Sequence, residues 1–164
     1  MRCEVIAIGT ELLLGQIVDT NSSWIGEQLA LIGIDSHFQV KVGDNPDRIE
    51  FCIRQALNRG EAVICCGGLG PTQDDITREV IACVMGVELR RDEEMVAKIE
   101  TLFTKRGRVM TDNNRRQAEI PIGGYAIPEM PGTAPGLVCP LDSKVIYAVP
   151  GVPHEMRDMM RGTV

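Results

Sequence analysis

A chain of 164 residues is long enough for one domain with one sizeable hydrophobic core. Its formal net charge of −6 argues against broad binding to nucleic acid or to anionic membranes, because both kinds of partner need a basic face. The first residues lead directly into a strand, and no apolar run approaches the roughly 20 residues that span a bilayer, so we expect a cytoplasmic protein without membrane or nucleic-acid partners.

Strands and helices alternate in the first half of the chain. We predict strands over residues 3–8, 35–42 and 62–66, and helices over residues 22–32, 46–59 and 78–85. Asp19, Thr20 and Asn21 can cap the first helix, and Asn45 before Pro46 marks the start of the second. This alternation predicts an α/β fold with a largely parallel sheet, whose ligands bind beyond the carboxyl ends of the strands.

The second half of the chain is less regular. We predict helices over residues 93–106, 112–118 and 153–160, and strands over residues 137–139 and 144–149. A turn at residues 141–143 joins the two strands, so we expect an antiparallel hairpin to join the sheet. No linker or repeat divides the sequence, and we predict a single domain over residues 1–164.

The chain contains six cysteines, and we predict that all of them remain reduced. Each lies among apolar residues, where free cysteine behaves as a small hydrophobic side chain. Without a secretory signal, reduced thiols are the default. The predicted strands contain Cys3, Cys65, Cys66 and Cys139, and the predicted helices contain Cys52 and Cys83.

A glycine-rich loop separates the third predicted strand from the third predicted helix. It is formed by Gly67, Gly68, Leu69, Gly70, Pro71 and Thr72. Glycine lets the backbone approach a phosphate, and a helix start offers unpaired N–H groups and the positive end of the helix dipole. Asp74 and Asp75 follow in the same connection. We expect one of them to cap the helix and the other, Asp75, to serve chemistry or to bind a metal ion.

Polar or glycine-rich loops also follow the other predicted strands, and we expect them to converge at one edge of the sheet. The loop after the first strand contains Gly9, Thr10, Glu11, Asp19, Thr20 and Asn21, and the loop after the second contains Asp44. Two later turns contain Gly132, Thr133, Ala134, Pro135 and Gly136, and Pro150 with Gly151. Each loop alone also fits an ordinary cap or turn. In the short helix after residue 111, Asn114 and Arg116 are candidate ligand contacts.

The carboxylates in these loops constrain what can bind there. A phosphate about 4 Å from one carboxylate is repelled by roughly 4 kcal/mol at an effective dielectric of 20, and charge-assisted bonds from loop amides, at about 1.5–3 kcal/mol each, offset this only in part. A phosphorylated ligand therefore calls for Mg²⁺ or another divalent cation, or for nearby arginines. Asp74 and Asp75 are the candidate metal ligands, and the candidate arginines are Arg78, Arg115 and Arg116.

These motifs, in this order, resemble the molybdopterin-binding-like domain family. The shared segments are Gly9-Thr10-Glu11-Leu12, Gly15-x-Ile17-x-Asp19-Thr20-Asn21, the glycine loop at residues 67–72, and Pro150-Gly151-Val152-Pro153. The resemblance implies a three-layer α/β/α sandwich with a mostly parallel mixed sheet. It also implies binding of a phosphorylated small molecule, either a pterin such as molybdopterin or a nucleotide, at the loops named above. In molybdopterin adenylyltransferases and gephyrin, aspartates at the positions of Asp44 and Asp75 serve the site.

Within that family the chain is most similar to the N-terminal domain of the CinA-type competence/damage-inducible proteins. The similarity lies in Asp74-Asp75-x-Thr77, in residues 132–136 and in Pro153-His154-Glu155-Met156. It implies metal-dependent hydrolysis of ADP-ribose to AMP and ribose 5-phosphate, with Asp19, Asp44 and Asp75 as catalytic candidates. Molybdopterin binding or adenylyl transfer, and a non-catalytic binding module, stay open as alternatives. The family also implies a homo-oligomer, either a dimer or a trimer.

Overall fold

The computed structural model of the protein describes residues 1–163. Its strands are β1 (Cys3–Ile8), β2 (Gln39–Val42), β3 (Ala62–Cys66), β4 (Leu89–Arg91), β5 (Glu119–Pro121), β6 (Tyr125–Ala126), β7 (Leu137–Leu141) and β8 (Lys144–Val149). Its helices are α1 (Thr10–Leu13), α2 (Thr20–Leu31), α3 (Pro46–Arg59), α4 (Thr77–Met85), α5 (Glu93–Lys105), α6 (Asp112–Arg116) and α7 (Pro153–Thr163). In this range of the chain, no helix has the length and apolar character needed to cross a membrane.

Six of the strands form one sheet in the order β2-β1-β3-β8-β7-β6. The first four run parallel to one another, whereas β7 and β6 are antiparallel to their neighbours. The predicted hairpin is confirmed, because β7 pairs with β8 and places Leu141 opposite Lys144 at its turn. The prediction of a mostly parallel mixed sheet is therefore confirmed.

Helices cover both faces of this sheet. Successive residues of a strand point to opposite faces, and β1 and β3 are buried at every position, so both of their faces need cover. In β3, Val63 and Cys65 belong to a core shared with α3 and α4, whereas Ile64 and Cys66 belong to a core shared with α2 and α7. The helices contribute Ile49, Ile53 and Ile81 to the first core and Ile25, Leu29, Met156 and Met159 to the second. Burial of each large apolar side chain contributes about 1.5–3 kcal/mol. The three-layer α/β/α sandwich is confirmed.

Two predicted boundaries in the first half differ from the structure. β2 begins at Gln39 and not at residue 35, because Asp35 forms only an isolated bridge with Arg2 before the chain leaves the ladder. His37, which was expected in this strand, therefore lies outside it. α2 begins at Thr20, earlier than predicted, because the side chain of Asp19 accepts a hydrogen bond from the N–H of Ser22.

Four short elements were absent from the prediction: α1, β4, β5 and β6. The strands β4 and β5 have three residues each and form their own antiparallel pair, with Arg91 opposite Glu119. β6 has two residues and extends the main sheet beside β7. Segments of this length carry too few residues for a periodic pattern, and their pairing joins parts of the chain that are distant in sequence.

The cysteines are free thiols throughout, as predicted. The four in strands are buried, and burial raises the pKa of Cys139 to about 12. Cys83 departs from the expected apolar surroundings, because it is exposed and its thiol lies 3.5 Å from a carboxylate oxygen of Glu50. Buried thiols with raised pKa values are protonated at neutral pH and behave as small hydrophobic side chains.

Candidate functional site

Four connections meet at the carboxyl edge of the parallel strands. They follow β1, β2, β3 and β8, and hydrogen bonds tie them together in pairs. The N–H of Gly9 donates to the carbonyl of Val42 at 3.0 Å, and the N–H of Gly67 donates to the carbonyl of Val149 at 2.9 Å. The structure thus brings the predicted loops together, as expected for neighbouring parallel strands.

The loops after β1 and β2 are joined through Thr10 and Asp44. One carboxylate oxygen of Asp44 accepts hydrogen bonds from the main-chain N–H and from the hydroxyl of Thr10, both at 2.8 Å. The hydroxyl in turn lies 3.1 Å from the N–H of Asp44. Among the described residues, no donor reaches the second oxygen of this carboxylate. Asp44 is therefore held in place and keeps one oxygen for a ligand.

Asn21 links the start of α2 to the loops after β3 and β8. Its side-chain amide donates to the carbonyl of Gly151 at 2.8 Å and lies 3.4 Å from the sulfur of Cys66. Its amide oxygen is buried and has no hydrogen-bond partner among the described residues. Burial raises the pKa of the Cys66 thiol to about 12, so this thiol stays protonated and does not act as a nucleophile at neutral pH.

A cavity of about 250 Å³ opens between these loops. Its lining includes Glu11, Ile17, Val18, Asp19, Asn21 and Gly151. Glu11 folds back over Gly9, where an added Cβ would lie 2.6 Å from its carboxylate oxygen. The lining of the cavity therefore combines apolar side chains with carboxylates, which suits a planar heterocycle with N–H donors.

The first four carbonyl groups of the glycine loop are held by the first two residues of α4. Thr77 binds the first two of these carbonyls. Its hydroxyl donates to the carbonyl of Gly67 at 2.8 Å, and its N–H donates to that of Gly68 at 3.1 Å. Arg78 binds the next two carbonyls. Its Nη1 donates to the carbonyl of Leu69 at 2.6 Å, and its Nη2 donates to that of Gly70 at 3.0 Å. Four consecutive carbonyls thus point toward the helix.

The N–H groups on the same peptides point the other way. The peptides of residues 1–163 are all trans, and in a trans peptide the C=O and the N–H lie on opposite sides. The N–H groups of Gly68, Leu69 and Gly70 have no hydrogen-bond acceptor in the described part of the chain. Consecutive free N–H groups of this kind form an anion-binding concavity. The loop needs glycine at Gly68, whose φ of 68° is left-handed and where a Cβ would collide with the hydroxyl of Thr77.

The prediction that Asp74 or Asp75 caps α4 is wrong. The cap position is Ile76, and no side chain caps the helix there. One carboxylate oxygen of Asp75 instead accepts hydrogen bonds from the N–H of Thr72 at 2.9 Å and from its hydroxyl at 2.6 Å. This turn draws the carboxylate back from the helix start and against Gly70, where an added Cβ would lie 2.5 Å from it. As at Asp44, the second oxygen stays free of donors among the described residues.

A divalent cation fits these donors only in part. Within residues 1–163, no group of three or more His, Cys, Asp or Glu side chains is arranged to bind a metal ion. Mg²⁺, however, is often held by one or two carboxylates together with the phosphates of its substrate. Asp75 and Asp44 each keep one free carboxylate oxygen, whereas Asp74 is exposed and makes no hydrogen bond among the described residues. Asp75 and Asp44 are therefore the carboxylates with an oxygen left for such an ion.

Several predicted site residues have structural partners of their own. Asp19 caps α2, and Asn114 forms a capping box with Thr111 at the start of α6. Arg116 pairs with Glu79, with its Nε at 3.0 Å and its Nη2 at 2.7 Å from one carboxylate oxygen. These contacts hold the loops and helices together and leave the side chains less free for a ligand.

The turn before β7 lies at the same edge, because β7 runs antiparallel to β8. It contains Gly132, Thr133, Ala134, Pro135 and Gly136. The carboxylate of Glu155, in the first turn of α7, lies against Gly132 so closely that a Cβ there would collide with it. This turn therefore borders α7. Pro150 lies at the crevice, the space between the loops that follow β1, β2, β3 and β8, and its carbonyl lies 3.6 Å from the Cys66 sulfur.

Thr77 and Arg78 are the site residues that the sequence analysis did not assign to their true role. Arg78 was one of three candidate arginines for a phosphate, but it is only 1% exposed and its guanidinium binds backbone carbonyls. Burial lowers the pKa of Arg78, and the carboxylate of Glu79 opposes that shift. The signal in the sequence that could have indicated this role is their position, because both residues begin the helix that follows a glycine loop.

Comparison with known proteins agrees with this architecture. The model of the family described as "Probable molybdopterin binding domain" matches residues 4–164. A "Putative competence-damage inducible protein" of Symbiobacterium thermophilum is 48% identical over 165 aligned positions, which cover 100% of this chain and 39% of that protein. A "CinA-like protein" of a Synechococcus strain is 45% identical over 161 positions, covering 98% of this chain and 38% of that protein. The chain thus spans about two fifths of the length of these relatives.

Solved structures give the same result for the fold. The crystal structure of CinA from Thermoplasma acidophilum, described as a protein of unknown function, is 36% identical, with a TM-score of 0.91 over 98% of this chain and 95% of that one. A structure of MogA is 18% identical, with a TM-score of 0.66 over 98% of this chain and 91% of that one, and supports the fold alone. The chain belongs to the molybdopterin-binding domain family, in its CinA-like branch.

Proposed function

We propose that this domain binds a phosphorylated nucleotide in the crevice and, with a divalent cation, hydrolyses ADP-ribose to AMP and ribose 5-phosphate. The resemblance to CinA-type proteins supports this reaction and substrate. The observation that carries the proposal is the row of free N–H groups at Gly68, Leu69 and Gly70. Beside it lies the carboxylate of Asp75, one oxygen of which accepts no hydrogen bond from the described residues. A diphosphate needs donors for its oxygens, and a metal-dependent reaction needs oxygen ligands close to them.

The electrostatics of the crevice support a cation in addition to the amides. Glu11 lines the cavity, and Asp44 and Asp75 add negative charge to the loops after β2 and β3. One carboxylate at about 4 Å repels a phosphate by roughly 4 kcal/mol at an effective dielectric of 20. A bound Mg²⁺ would polarise the diphosphate and supply positive charge there. Asp75 or Asp44 would hold it through its free oxygen.

The residues of this chain have distinct roles in the proposed reaction. Water attacks one phosphorus atom, the bridging P–O bond breaks, and the other phosphate leaves with its nucleoside or its ribose. The N–H groups of the glycine loop stabilise the negative charge that develops on the phosphoryl oxygens. The carboxylate that does not hold the cation, Asp44 or Asp75, accepts the proton of the attacking water through its free oxygen and releases it to solvent.

A product assay tests the proposal. The protein is incubated with ADP-ribose and Mg²⁺ or Mn²⁺, and AMP is measured by chromatography. We expect AMP and ribose 5-phosphate in equal amounts, and no product after EDTA is added. Absence of AMP with every divalent cation tested would overturn hydrolysis, and turnover that persists in EDTA would overturn the role of the metal.

Molybdopterin is the alternative ligand, favoured by the description of the matched family and by the partly apolar cavity beside Ile17 and Val18. A pterin ring would lie against Ile17 and Val18 and donate its N–H groups to Glu11 or Asp19. Tight binding of molybdopterin without AMP production would select this function. Release of pyrophosphate from ATP in its presence would indicate adenylyl transfer, and binding of ADP-ribose without product would indicate a non-catalytic module.

We further propose that the protein forms a homo-oligomer, a dimer or a trimer. Three apolar side chains near the crevice are exposed to solvent: Leu13 is 53% exposed, Leu14 66% and Val18 82%. Contact with another copy would remove this apolar surface from water. Light scattering during size-exclusion chromatography measures the mass directly, and a monomer at micromolar concentration would contradict the proposal.

A further inference from the structure

We propose that Arg78 is a positioning residue that sets the row of amide donors for phosphate without touching the ligand. The inference rests on the proposed binding of a phosphorylated ligand at the glycine loop. The role of the buried guanidinium is to orient two loop peptides, so that the N–H of Gly70 faces the crevice.

The burial of Arg78 excludes direct contact with a ligand in the crevice. Its side chain is 1% exposed and is among the largest fully buried side chains of the described residues. Arginine is rarely buried to this extent unless its charge is paired. Here, in the described part of the chain, no carboxylate lies within ion-pair distance of it, and its two terminal nitrogens bind the carbonyls of Leu69 and Gly70.

The geometry of the guanidinium suits this role. Its two terminal nitrogens form a rigid planar fork, which can hold two neighbouring carbonyls at one fixed spacing. The carbonyl of Leu69 and the N–H of Gly70 belong to one trans peptide, so holding the first fixes the direction of the second. The positive charge also remains beneath the loop, on the side opposite to the ligand.

The loop needs such a restraint because it is rich in glycine. Gly68 and Gly70 have wide conformational freedom, and free amides can point in many directions before a ligand binds. Thr77 restrains the first half of the loop through the carbonyls of Gly67 and Gly68. Arg78 restrains the second half in the same way. Donors that are oriented in advance bind an anion more tightly, because less ordering remains at binding.

Amide resonances test the inference directly. The ¹⁵N-labelled protein is titrated with inorganic pyrophosphate and Mg²⁺, and the shifts of Gly68, Leu69 and Gly70 are followed. We expect all three to shift in the native protein. In Arg78→Met the Gly70 shift should be lost and the Kd should rise about tenfold or more, because one charge-assisted hydrogen bond is worth about that factor. Arg78→Lys, which has a single donor group, should restore only part of the affinity.

A matched control separates positioning from stability. Arg59→Met removes another arginine, whose Nε and Nη2 each lie 2.7 Å from the carboxylate of Glu4 at the opposite edge of the sheet. It should lower the midpoint of thermal unfolding and leave the Gly70 shift and the Kd unchanged. A purely structural role for Arg78 would give this same result.

The outcomes distinguish the phosphate site at the glycine loop from the positioning role of Arg78. If the native protein responds to pyrophosphate and Arg78→Met responds equally, the role of Arg78 is overturned and the phosphate site stands. If the loop amides of the native protein do not respond, the phosphate site itself is overturned, and the inference with it. If Arg78→Met does not fold, Arg78→Lys decides: native affinity and a native Gly70 shift would overturn the role of the fork.

Discussion

Thr10 donates both its main-chain N–H and its hydroxyl to a single carboxylate oxygen of Asp44, and both distances are 2.8 Å. Thr72 makes the same pair of contacts with Asp75, at 2.9 and 2.6 Å. Each aspartate of the crevice is thus fixed by a threonine through one oxygen and keeps the other for a ligand. Held carboxylates of this kind lose little conformational freedom when they bind a cation.

Removal of charge at these aspartates should stop the reaction without unfolding the protein. We expect Asp44→Asn and Asp75→Asn each to lower metal-dependent AMP production at least about 100-fold, because the amide supplies no negative charge for a cation. The amide oxygen can still accept both hydrogen bonds from the threonine, so thermal unfolding should change little. Steady-state kinetics and calorimetry measure the two effects.

Asp142→Asn is the matched control for this pair. Asp142 lies in the turn between β7 and β8, at the opposite edge of the sheet, and has a left-handed φ of 53° that asparagine tolerates well. The Asp142→Asn variant should turn over ADP-ribose at the same rate as the native protein. If Asp75→Asn behaved like Asp142→Asn, Asp75 would have no role in catalysis or metal binding.

The hydroxyl of Thr10 should matter for the position of the Asp44 carboxylate. Thr10→Val keeps the shape and the N–H contact but loses the hydroxyl donor, so we expect kcat/KM to fall roughly tenfold and stability to fall by about 1 kcal/mol. Thr10→Ser restores the donor and should restore most of the activity. Equal kinetics for the valine and serine variants would contradict this role.

A side chain at Gly68 should damage the loop beyond the strain of its left-handed backbone. Gly68→Ala places a Cβ against the Thr77 hydroxyl, whereas Gly33→Ala, at a similar φ of 76°, meets no atom within 4 Å. Both variants carry backbone strain, and the collision should cost Gly68→Ala about 1–3 kcal/mol more. Urea denaturation gives the difference, and only Gly68→Ala should weaken pyrophosphate binding.

Buried thiols should make the protein less stable in alkaline solution. Burial raises the pKa of Cys139 from 9.0 to about 12, so the thiol of the unfolded chain ionises first as the pH rises above 9. The free energy of unfolding should then fall between pH 9 and 12, by about 1.4 kcal/mol per pH unit for one thiol. Below pH 9 the contribution is fully present.

Comparison with Cys139→Ala isolates this contribution from other groups that titrate at high pH. The variant lacks the thiol, so its free energy of unfolding should decline less steeply between pH 9 and 11 in urea denaturation. Identical slopes for the two proteins would show that the Cys139 thiol ionises as easily in the folded state as in the unfolded one.

Elements with strong local signals were predictable from the sequence. The apolar run of β3 was predicted with its observed bounds, and α3 was placed by Asn45, whose side chain accepts a hydrogen bond from the N–H of Arg48. The rule that parallel strands share an edge brought Asp44 and the glycine loop together before any contact was known. β5 was not predictable, because its three residues include Pro121 and its partner lies far away in the chain.

The details of the site depended on competition between hydrogen-bond partners. Asp75 could cap α4 or bind Thr72, and both choices satisfy the same local pattern, so the sequence could not decide between them. Arg78 follows the helix start by one position, where an arginine is usually solvated. Only the packing of α4 under the loop buries it. Its two backbone contacts depend on that packing and have no counterpart in a linear motif.

The dependence of the loop on Thr77 and Arg78 has a consequence for protein engineering. A transplant of the six glycine-loop residues into another α/β protein would carry the flexible backbone but leave its two anchors behind. The smallest portable module is the continuous segment of residues 67–78, which brings its own scaffold. Sequence searches for this anion site should likewise extend past the glycines and into the helix.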